Sequence, residues 1–208
     1  MTGNWHEGKH VRIKICGLRT ERGVDAAVGC GADAVGFVFV DGSPRCVTRV
    51  EADRLCGLLP PGVLPVAVVQ NHGDLQSFGD WPGWLQLCGE EDQRHIAAAP
   101  CPVIRALEWS DDSIRRWDAS CDVSALLVDG SRGGLGTSFD HEPLASIMPS
   151  LGHPVIVAGG LDPTNVAAAI ATLRPFGVDV SSGVESARGE KSPDLIRAFC
   201  TAARPEGV

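Results

Sequence analysis

The sequence predicts an α/β protein folded as a single (β/α)8 barrel. Eight short apolar runs recur along the chain at a nearly even interval, and stretches with helical spacing separate most of them. Strands that are apolar almost throughout belong to parallel sheets with both faces covered by helices. Eight such units in 208 residues match a minimal barrel, whereas an open doubly wound sheet usually has fewer strands and a glycine fingerprint after the first one.

The predicted strands are, in chain order, "VRIKICG", "AVGFVFV", "LPVAVVQ", "WLQLCG", "PVIRALE", "ALLVDG", "PVIVAGG" and "GVDVSSG". Helices are predicted over residues 21–30, 49–59, 90–99, 141–150, 163–173 and 193–203. Thr48 and Ser110 are suitable helix caps, and Pro163 and Pro193 suit first helical turns. The segment 74–81 is short and glycine-broken, so one connection is expected to be irregular.

Composition and charge indicate one folded domain, with residues 1–10 as a flexible tail and residues 11–208 as the barrel. Hydrophobic residues make up 44% of the chain and charged residues 21%, which is ordinary for a globular protein. The formal charge of -8, with no cluster of Lys and Arg, argues against a nucleic-acid partner. No segment approaches the ~18 apolar residues of a membrane span, so no membrane partner is expected.

The eight cysteines stand mostly in apolar segments and do not have the spacing of a zinc site. Secreted disulfide frameworks of this density belong to much smaller chains. Cys30, Cys56, Cys121 and Cys200 are therefore expected to be buried small hydrophobic residues. The pattern predicts a reduced, cytoplasmic protein without a metal site.

Cys16 ends the first predicted strand, immediately before a glycine. Active sites of (β/α)8 barrels lie at the carboxyl ends of the strands, so this thiol faces the catalytic end. It is either a buried apolar thiol or a general base, which requires a thiolate whose pKa is lowered from about 8.5 by positive neighbours. Lys14 projects from the same side of the strand by the two-residue period.

Asp129 and Arg45 also follow predicted strands at this end. Asp129 leaves the apolar run "ALLV", where partial desolvation would raise the pKa of its carboxyl and keep it protonated as a general acid. The alternative for Asp129 is a solvent-facing loop residue that caps a turn with Gly130. Arg45 follows Pro44 in a turn, and its guanidinium could bind a carboxylate bidentately, although a lone loop arginine is usually solvated.

Two glycine-rich turns follow the last two predicted strands: "AGGLDPTN" contains Gly159 and Gly160, and "SSGVES" contains Ser182 and Gly183. Barrels commonly bind phosphate here, because backbone N–H groups and a short helix N-terminus point at the anion. Glycines that merely permit tight turns are the alternative, and two adjacent loops of this kind favour phosphate binding. Asp179 is expected to be a structural partner for nearby backbone, since its charge would repel a phosphate.

These segments resemble phosphoribosylanthranilate isomerases, the TIM-barrel enzymes of tryptophan biosynthesis. The resemblance rests on "KICGL", "GADAVGFVFVDGSPRCV", "LQLCGEE", "LLVDG", "GGLGTSFD", "VIVAGGLDPTNV" and "VDVSSGVESARGEKSPDLI", and it covers essentially all of the chain after the tail. It implies an Amadori rearrangement of N-(5-phosphoribosyl)anthranilate without a cofactor. By this resemblance Asp129 would open the sugar ring, Cys16 would remove the C2 proton and Arg45 would hold the anthranilate carboxylate, while the two glycine turns would hold the phosphate.

The sequence departs from the family's pattern at three positions. Cys88 in "QLCG" replaces a histidine, and Leu135 and Thr137 in "GGLGTSF" replace a polar residue and a lysine. One alternative is therefore a divergent paralogue that isomerises a different phosphoribosylated amine. Another is a non-catalytic phosphosugar-binding barrel, against which the presence of both Cys16 and Asp129 speaks. A monomer and a homodimer are equally compatible with the sequence.

Overall fold

Eight parallel strands close into a barrel in the computed structural model, which describes residues 10–130 and 141–204. The strands are β1 (Arg12–Cys16), β2 (Ala34–Val38), β3 (Leu64–Val69), β4 (Trp84–Leu87), β5 (Val103–Glu108), β6 (Ala125–Asp129), β7 (Val155–Ala158) and β8 (Gly177–Val180). Each strand pairs with its neighbours in chain order, and β8 closes the barrel by pairing with β1. The predicted fold class is confirmed, and every predicted strand contains the observed one.

Helices cover the outside of the barrel. They are α1 (Glu21–Gly29), α2 (Arg49–Cys56), α3 (Gln93–Ala97), α4 (Asp111–Asp118), α5 (His141–Ile147), α6 (Val166–Leu173) and α7 (Pro193–Ala203). The irregular third connection is a short 3-10 helix at Leu75–Phe78, and a second one at Met148–Ser150 extends α5. After β8 come a 3-10 turn at Ser182–Val184 and a small hairpin of β9 (Glu185–Ala187) and β10 (Glu190–Lys191).

Two predicted helix starts are wrong because side-chain hydrogen bonds at or before the first turn place the helices later in the chain. α3 begins at Gln93 and not at residue 90, since the Asp92 carboxylate accepts hydrogen bonds from the backbone N–H groups at the start of the helix. α6 begins at Val166 and not at Pro163, since Asp162 and Asn165 hold the preceding residues in a turn. Both capping side chains are of the types that favour non-helical positions.

Two separate layers of apolar side chains form the core. The inner layer fills the barrel with residues such as Val66, Trp84, Ile104 and Leu127. The outer layer lies between the strands and the helices. Because each strand is buried on both faces, neither face has to be polar, and this is why the strand sequences read as continuous apolar runs.

Several sequence-based expectations concern residues that the structure does not describe. Leu135 and Thr137 lie outside the described residues, and so does the predicted tail except for His10, which is exposed. The division into a tail and a barrel domain stays a prediction. In residues 10–130 and 141–204, no helix has the length and apolar character needed to cross a membrane.

All eight cysteines are free thiols. Cys200 is buried and Cys30 and Cys56 are partly buried, in line with the expected role as small hydrophobic residues. The prediction is wrong for Cys121, which is exposed because it lies in the turn between α4 and β6. The part of the chain that the structure describes contains no cluster of His, Cys, Asp and Glu that could hold a metal ion.

Candidate active site

The predicted site residues converge at the carboxyl end of the barrel. Arg45, Asp129, Gly159, Gly160 and Ser182 all line one pocket of about 130 Å³. Asp129 is the last residue of β6 and the others follow β2, β7 and β8, so barrel closure brings together positions that are far apart in the sequence. This end of the strands is where (β/α)8 barrels carry their active sites.

Cys16 and Gly183, the two remaining predicted residues, adjoin the wall of this pocket. The Ser181 side chain lines the pocket and donates a hydrogen bond from Oγ to the Cys16 carbonyl oxygen at 3.3 Å. A side chain at Gly183 would overlap the Leu161 carbonyl group. The glycine is therefore required for the turns after β7 and β8 to contact each other.

The Cys16 thiol is buried beside a charged pair inside the barrel. Cys16 is 7% exposed and the Lys14 side chain only 1%. Lys14 donates a hydrogen bond from Nζ to Asp179 Oδ1 at 2.7 Å and also contacts the Cys16 thiol. The predicted proximity of a positive charge to Cys16 is thus present in the structure.

Burial raises the pKa of the Cys16 thiol, although the positive charges of Lys14 and Lys191 act to lower it. The lowered pKa that the general-base interpretation requires is not found in these surroundings, because desolvation and the negative charge of Asp179 outweigh both cations. Burial alone would lower the pKa of Lys14, but attraction to Asp179 and Cys16 outweighs burial and raises it. Lys14 therefore stays charged, and its charge favours the thiolate.

Asp179 has a different partner from the one that the sequence predicted. Asp179 was expected to bind nearby backbone, but its carboxylate pairs with the side chain of Lys14. The reason is the register of the closing pair of strands, which sets Lys14 of β1 opposite Asp179 of β8. Two charged residues buried inside the barrel compensate each other in this way, as buried charges must.

Gly36 of β2 leaves room for this arrangement. It lies opposite Cys16 in the sheet. A Cβ atom at this position would lie 2.9 Å from Cys16 Sγ and 3.3 Å from Lys14 Nζ. Sequence reasoning did not single out Gly36, although a glycine inside an apolar strand is a signal of close approach.

Arg45 lies in the pocket wall but is not a solvated loop arginine. Its Nε donates to Glu185 Oε1 at 2.6 Å and its Nη2 donates to Glu185 Oε2 at 2.9 Å. Its side chain crosses Gly17, where an added Cβ would lie 2.5 Å from Arg45 Cδ. Gly17 also has a φ of 81°, a value that L side chains rarely adopt. Arg45 is thus fixed next to the residue that follows Cys16.

Sequence reasoning missed Glu185 and Lys191, which complete this cluster. Lys191 donates from Nζ to Glu185 Oε1 at 2.8 Å and to the Ser181 carbonyl oxygen at 2.7 Å. Burial would raise the pKa of Glu185, but the hydrogen bonds from Arg45 and Lys191 outweigh burial and lower it to about 2. The only signal in the sequence was the alternation of acidic and basic residues in "VESARGEK".

The turn after β7 contains the first two of the glycines that the sequence predicts to bind phosphate. Gly159 and Gly160 have φ angles of 90° and 66°, which glycine adopts without strain. Asn165 fixes the turn, because its Nδ2 donates to the Gly160 carbonyl oxygen at 2.8 Å and its Oδ1 accepts from the Asp162 backbone N–H at 2.9 Å. These bonds fix the turn at the point where Gly159 and Gly160 line the pocket.

A second pocket of about 550 Å³ lies at the same end of the barrel, beside β4 and β5, and Cys88 lines it. Gln86 donates from Nε2 to Cys88 Sγ at 3.2 Å, and burial raises the pKa of the Cys88 thiol to about 12. Arg105 fixes the adjoining loop, because it pairs with the buried Glu91 at 2.9 Å and donates to the Gly89 carbonyl oxygen at 2.7 Å. The departure at Cys88 therefore faces a cavity whose adjoining loop is tied down by Arg105.

Comparison with known proteins decides between the chemical classes that this geometry allows. Residues 13–202 match the model of the N-(5'-phosphoribosyl)anthranilate (PRA) isomerase family. The chain belongs to this family. It is accordingly an isomerase of tryptophan biosynthesis, and the predicted enzyme class is confirmed.

Relatives of similar length carry the name of the PRA isomerase family. The N-(5'-phosphoribosyl)anthranilate isomerase of Chromohalobacter salexigens is 40% identical over 202 residues, which cover 92% of this chain and 93% of the relative. That of Methylibium petroleiphilum is 41% identical over 203 residues and covers 93% of each chain. The similarity spans the barrel and is not confined to one motif.

Solved structures of PRA isomerases share the fold. The Thermus thermophilus enzyme is 33% identical with a TM-score of 0.83, over 92% of this chain and 98% of its own. A crystal structure of a PRA isomerase in complex with reduced 1-(o-carboxyphenylamino)-1-deoxyribulose 5-phosphate is 34% identical with a TM-score of 0.80, over 93% of this chain and 98% of its own. A further structure describes monomers of the dimeric Thermotoga maritima enzyme, which is 32% identical with a TM-score of 0.79, over 93% of this chain and 98% of its own.

Proposed function

We propose that this PRA isomerase converts N-(5-phosphoribosyl)anthranilate to 1-(2-carboxyphenylamino)-1-deoxyribulose 5-phosphate with Asp129 as the acid and Cys16 as the base. The observation that carries the assignment is the order of groups around the barrel. The ends of β6 and β1 hold Asp129 and Cys16, and the two glycine turns after β7 and β8 lie between them. A phosphate bound at those turns would set the ribose between the acid and the base.

The rearrangement needs a proton on the ring oxygen that is bonded to C1 and the removal of a proton from C2. The Asp129 carboxyl group donates a proton to the furanose oxygen, the C1–O bond breaks, and the nitrogen lone pair forms the C1=N bond of a positively charged imine. The Cys16 thiolate then removes the proton from C2, the electrons of that C–H bond form the C1=C2 bond, and the C1=N π electrons return to nitrogen, which gives a neutral enolamine. Tautomerisation of the enolamine gives the C2 ketone, so the reaction is balanced without an added cofactor.

The surroundings of Cys16 support its role as the base. A buried thiol ionises poorly, and burial does raise the pKa of Cys16. Lys14, held by Asp179 at 2.7 Å, supplies a permanent positive charge next to the thiol. The positively charged imine that forms during ring opening adds a second attraction for the thiolate, so proton removal is favoured when the intermediate is present.

The two ends of the substrate have matching sites. The backbone of Gly159, Gly160 and Gly183, with Ser182, offers N–H groups suited to a phosphate. Arg45 offers a guanidinium suited to the anthranilate carboxylate. Binding at both ends would orient the sugar for proton transfer, which is how positioning lowers a barrier. The complex of the 34% identical relative with a phosphorylated, carboxylated compound supports this division.

Turnover of freshly generated phosphoribosylanthranilate, followed by the loss of its fluorescence, tests the proposal. Cys16→Ser and Asp129→Asn should each lower kcat by ~100-fold or more, because general acid and base groups typically contribute that much. Cys121→Ser is the matched control, since Cys121 is an exposed thiol away from the pocket. A Cys16→Ser enzyme that keeps more than roughly a tenth of wild-type kcat would contradict the role of Cys16, given that typical contribution.

The same assay separates the two alternatives. An enzyme inactive on phosphoribosylanthranilate but active on another phosphoribosylated amine would be a specialised paralogue. The structural reason to test this is Cys88, which lines the 550 Å³ pocket. Equilibrium binding of the substrate without turnover would indicate a phosphosugar-binding barrel. We also infer a cytoplasmic location from the eight free thiols, which persist in reducing compartments.

A further inference from the structure

The buried carboxylate of Glu185 has no assigned part in the rearrangement, yet it contacts Arg45 directly. Its side chain is 5% exposed and lies between Arg45 and Lys191, whose side chain is 4% exposed. A carboxylate beside a site for anionic substrates weakens their binding, because like charges repel. Its hydrogen bonds to Arg45 indicate a role that offsets this repulsion.

Glu185 occupies only one of the two forks of the Arg45 guanidinium. Its oxygens accept from Nε at 2.6 Å and from Nη2 at 2.9 Å, which is the side-on fork. A guanidinium has five N–H donors in a rigid plane. The end-on fork, formed by Nη1 and the second Nη2 proton, has no hydrogen-bond partner among the described residues. This fork is the part of Arg45 that can take a second carboxylate.

Glu185 is itself held in place from the opposite side. Lys191 donates to its Oε1 at 2.8 Å, and the Gly189 backbone N–H donates to its Oε2 at 2.9 Å. Lys191 is tied in turn to the Ser181 carbonyl oxygen at 2.7 Å. The hairpin of β9 and β10 therefore acts as a rigid bracket for the carboxylate, while Arg45 comes from the loop after β2.

We propose that Glu185 is a positioning residue that holds the side-on fork of Arg45 and so aims the end-on fork at the carboxylate of the substrate. The proposal rests on the role of Arg45 in the proposed function. It assigns the preference for a carboxylated aryl amine to the pair of Arg45 and Glu185, and not to Arg45 alone. A mobile arginine would attract any anion, whereas a fixed fork selects a planar carboxylate by geometry.

Binding measurements that need no turnover test the positioning role. The probes are reduced 1-(o-carboxyphenylamino)-1-deoxyribulose 5-phosphate and its phenylamino analogue, which lacks the carboxylate. The wild type should bind the first at least ~10-fold more tightly, as a charge-assisted hydrogen-bonded pair allows. Glu185→Gln should reduce this ratio to within ~3-fold of unity, because the neutral amide no longer fixes the guanidinium. The affinity for the phenylamino analogue should stay unchanged.

Lys191→Met is the matched control, since it removes a contact of Glu185 but leaves the pair of Glu185 and Arg45. It should keep the preference for the carboxylate. Equal loss of the preference in Lys191→Met would overturn the proposal, because the effect would then belong to the hairpin and not to the pair. A Glu185→Gln variant that keeps the wild-type ratio would also overturn it.

Two further variants keep the test decisive. Arg45→Met should remove the preference, and adding Glu185→Gln to Arg45→Met should change it no further, since Glu185 acts through Arg45. Additive losses would show an independent role and refute the positioning. If Glu185→Gln fails to fold, the double variant Glu185→Gln, Lys191→Met leaves no buried lysine unpaired and is expected to lose the preference.

Failure of the positioning role and failure of the proposed function give different results in these experiments. A wild type that binds the carboxylated probe selectively but does not turn over phosphoribosylanthranilate would contradict the assigned chemistry and leave the positioning intact. A wild type that turns over substrate with no preference for the carboxylated probe would contradict the positioning and the assignment of Arg45 to the carboxylate, and would leave the roles of Asp129 and Cys16 intact. In an active enzyme, Glu185→Gln should raise KM by ~10-fold with kcat within ~3-fold, the pattern of lost ground-state binding.

Discussion

Removal of Lys14 separates the structural role of the buried charge pair from its catalytic role. Lys14 Nζ lies 2.7 Å from Asp179 Oδ1, and both side chains point into the barrel. At an effective dielectric constant of 20 this separation corresponds to about 6 kcal/mol of attraction. Desolvation of the two ions costs several kcal/mol each and offsets most of that gain. The pair therefore changes the free energy of unfolding little, whereas either ion without its partner would destabilise the fold.

Lys14→Met and Asp179→Asn should each lower the free energy of unfolding by about 3–5 kcal/mol, because each leaves one buried charge without its partner. The double variant contains neither charge and should recover to within about 1–2 kcal/mol of the wild type. Activity should not recover. Without Lys14 the pKa of the Cys16 thiol rises further, so kcat should fall by at least ~10-fold. This is smaller than the ~100-fold or more that a general base typically contributes, because the thiol itself is still present.

Urea unfolding and the pH dependence of kcat/KM check both halves of this prediction. The rising limb of the pH profile should move to higher pH in the double variant, since a thiol with a raised pKa ionises later. A double variant with the wild-type kcat and pH limb would refute the action of Lys14 on Cys16. A double variant as unstable as the single variants would refute the account of the charge pair.

Two further predictions follow from close approach at Gly36 and from the partly buried carboxylate of Asp118. Gly36→Ala adds a Cβ 2.9 Å from Cys16 Sγ, so it should lower the free energy of unfolding by about 1–3 kcal/mol through overpacking and should reduce kcat. Gly29→Ala is the control, because a Cβ there has nothing within 4 Å, and it should change neither quantity. Equal kcat in both variants would contradict the steric argument. Burial would raise the pKa of Asp118, but hydrogen bonds from two backbone N–H groups outweigh burial and lower it. The ionised carboxylate therefore stabilises the folded protein above the ordinary carboxyl pKa, and this stabilisation is lost as the pH falls through the lowered pKa. Asp118→Asn should lower the free energy of unfolding by about 1–2 kcal/mol at pH 7. In urea unfolding the variant should also lose less stability than the wild type below pH 5, and an unchanged dependence on acid pH would contradict this role of Asp118.

The strands could be predicted from the sequence because their signal is local. A run such as "ALLV" is apolar for its whole length because both faces of the strand are buried, one by the side chains inside the barrel and the other by helices. The starts of α3 and α6 could not be placed in the same way. Asp92 caps α3, and Asn165 fixes the turn before α6, through side-chain hydrogen bonds, and composition alone does not say which of several polar residues in a turn accepts those bonds.

The predicted site residues share one property, namely a position at the end of a strand. Cys16 and Asp129 could be found by this rule, since barrel closure gathers strand ends without any detail of packing. Glu185 could not, because its importance comes from contact with Arg45, which lies 140 positions away in the sequence. The partner of Asp179 was missed for the same reason, as the pairing of β8 with β1 decides it.

Barrel closure also concentrates positive charge in an acidic protein. The chain has a formal charge of -8, yet the charged side chains around Cys16 comprise three cations and two anions: Lys14, Arg45, Lys191, Asp179 and Glu185. One uncompensated positive charge remains in this cluster when the carboxyl group of Asp129, which lines the same pocket, carries the proton that its proposed role as the acid requires. The Cys16 thiolate or an anionic end of the substrate can neutralise it, and a cleft of this sign attracts anions even when the rest of the surface repels them. The two carboxylates thus allow three cations to be buried close together while leaving the site selective for negative charge.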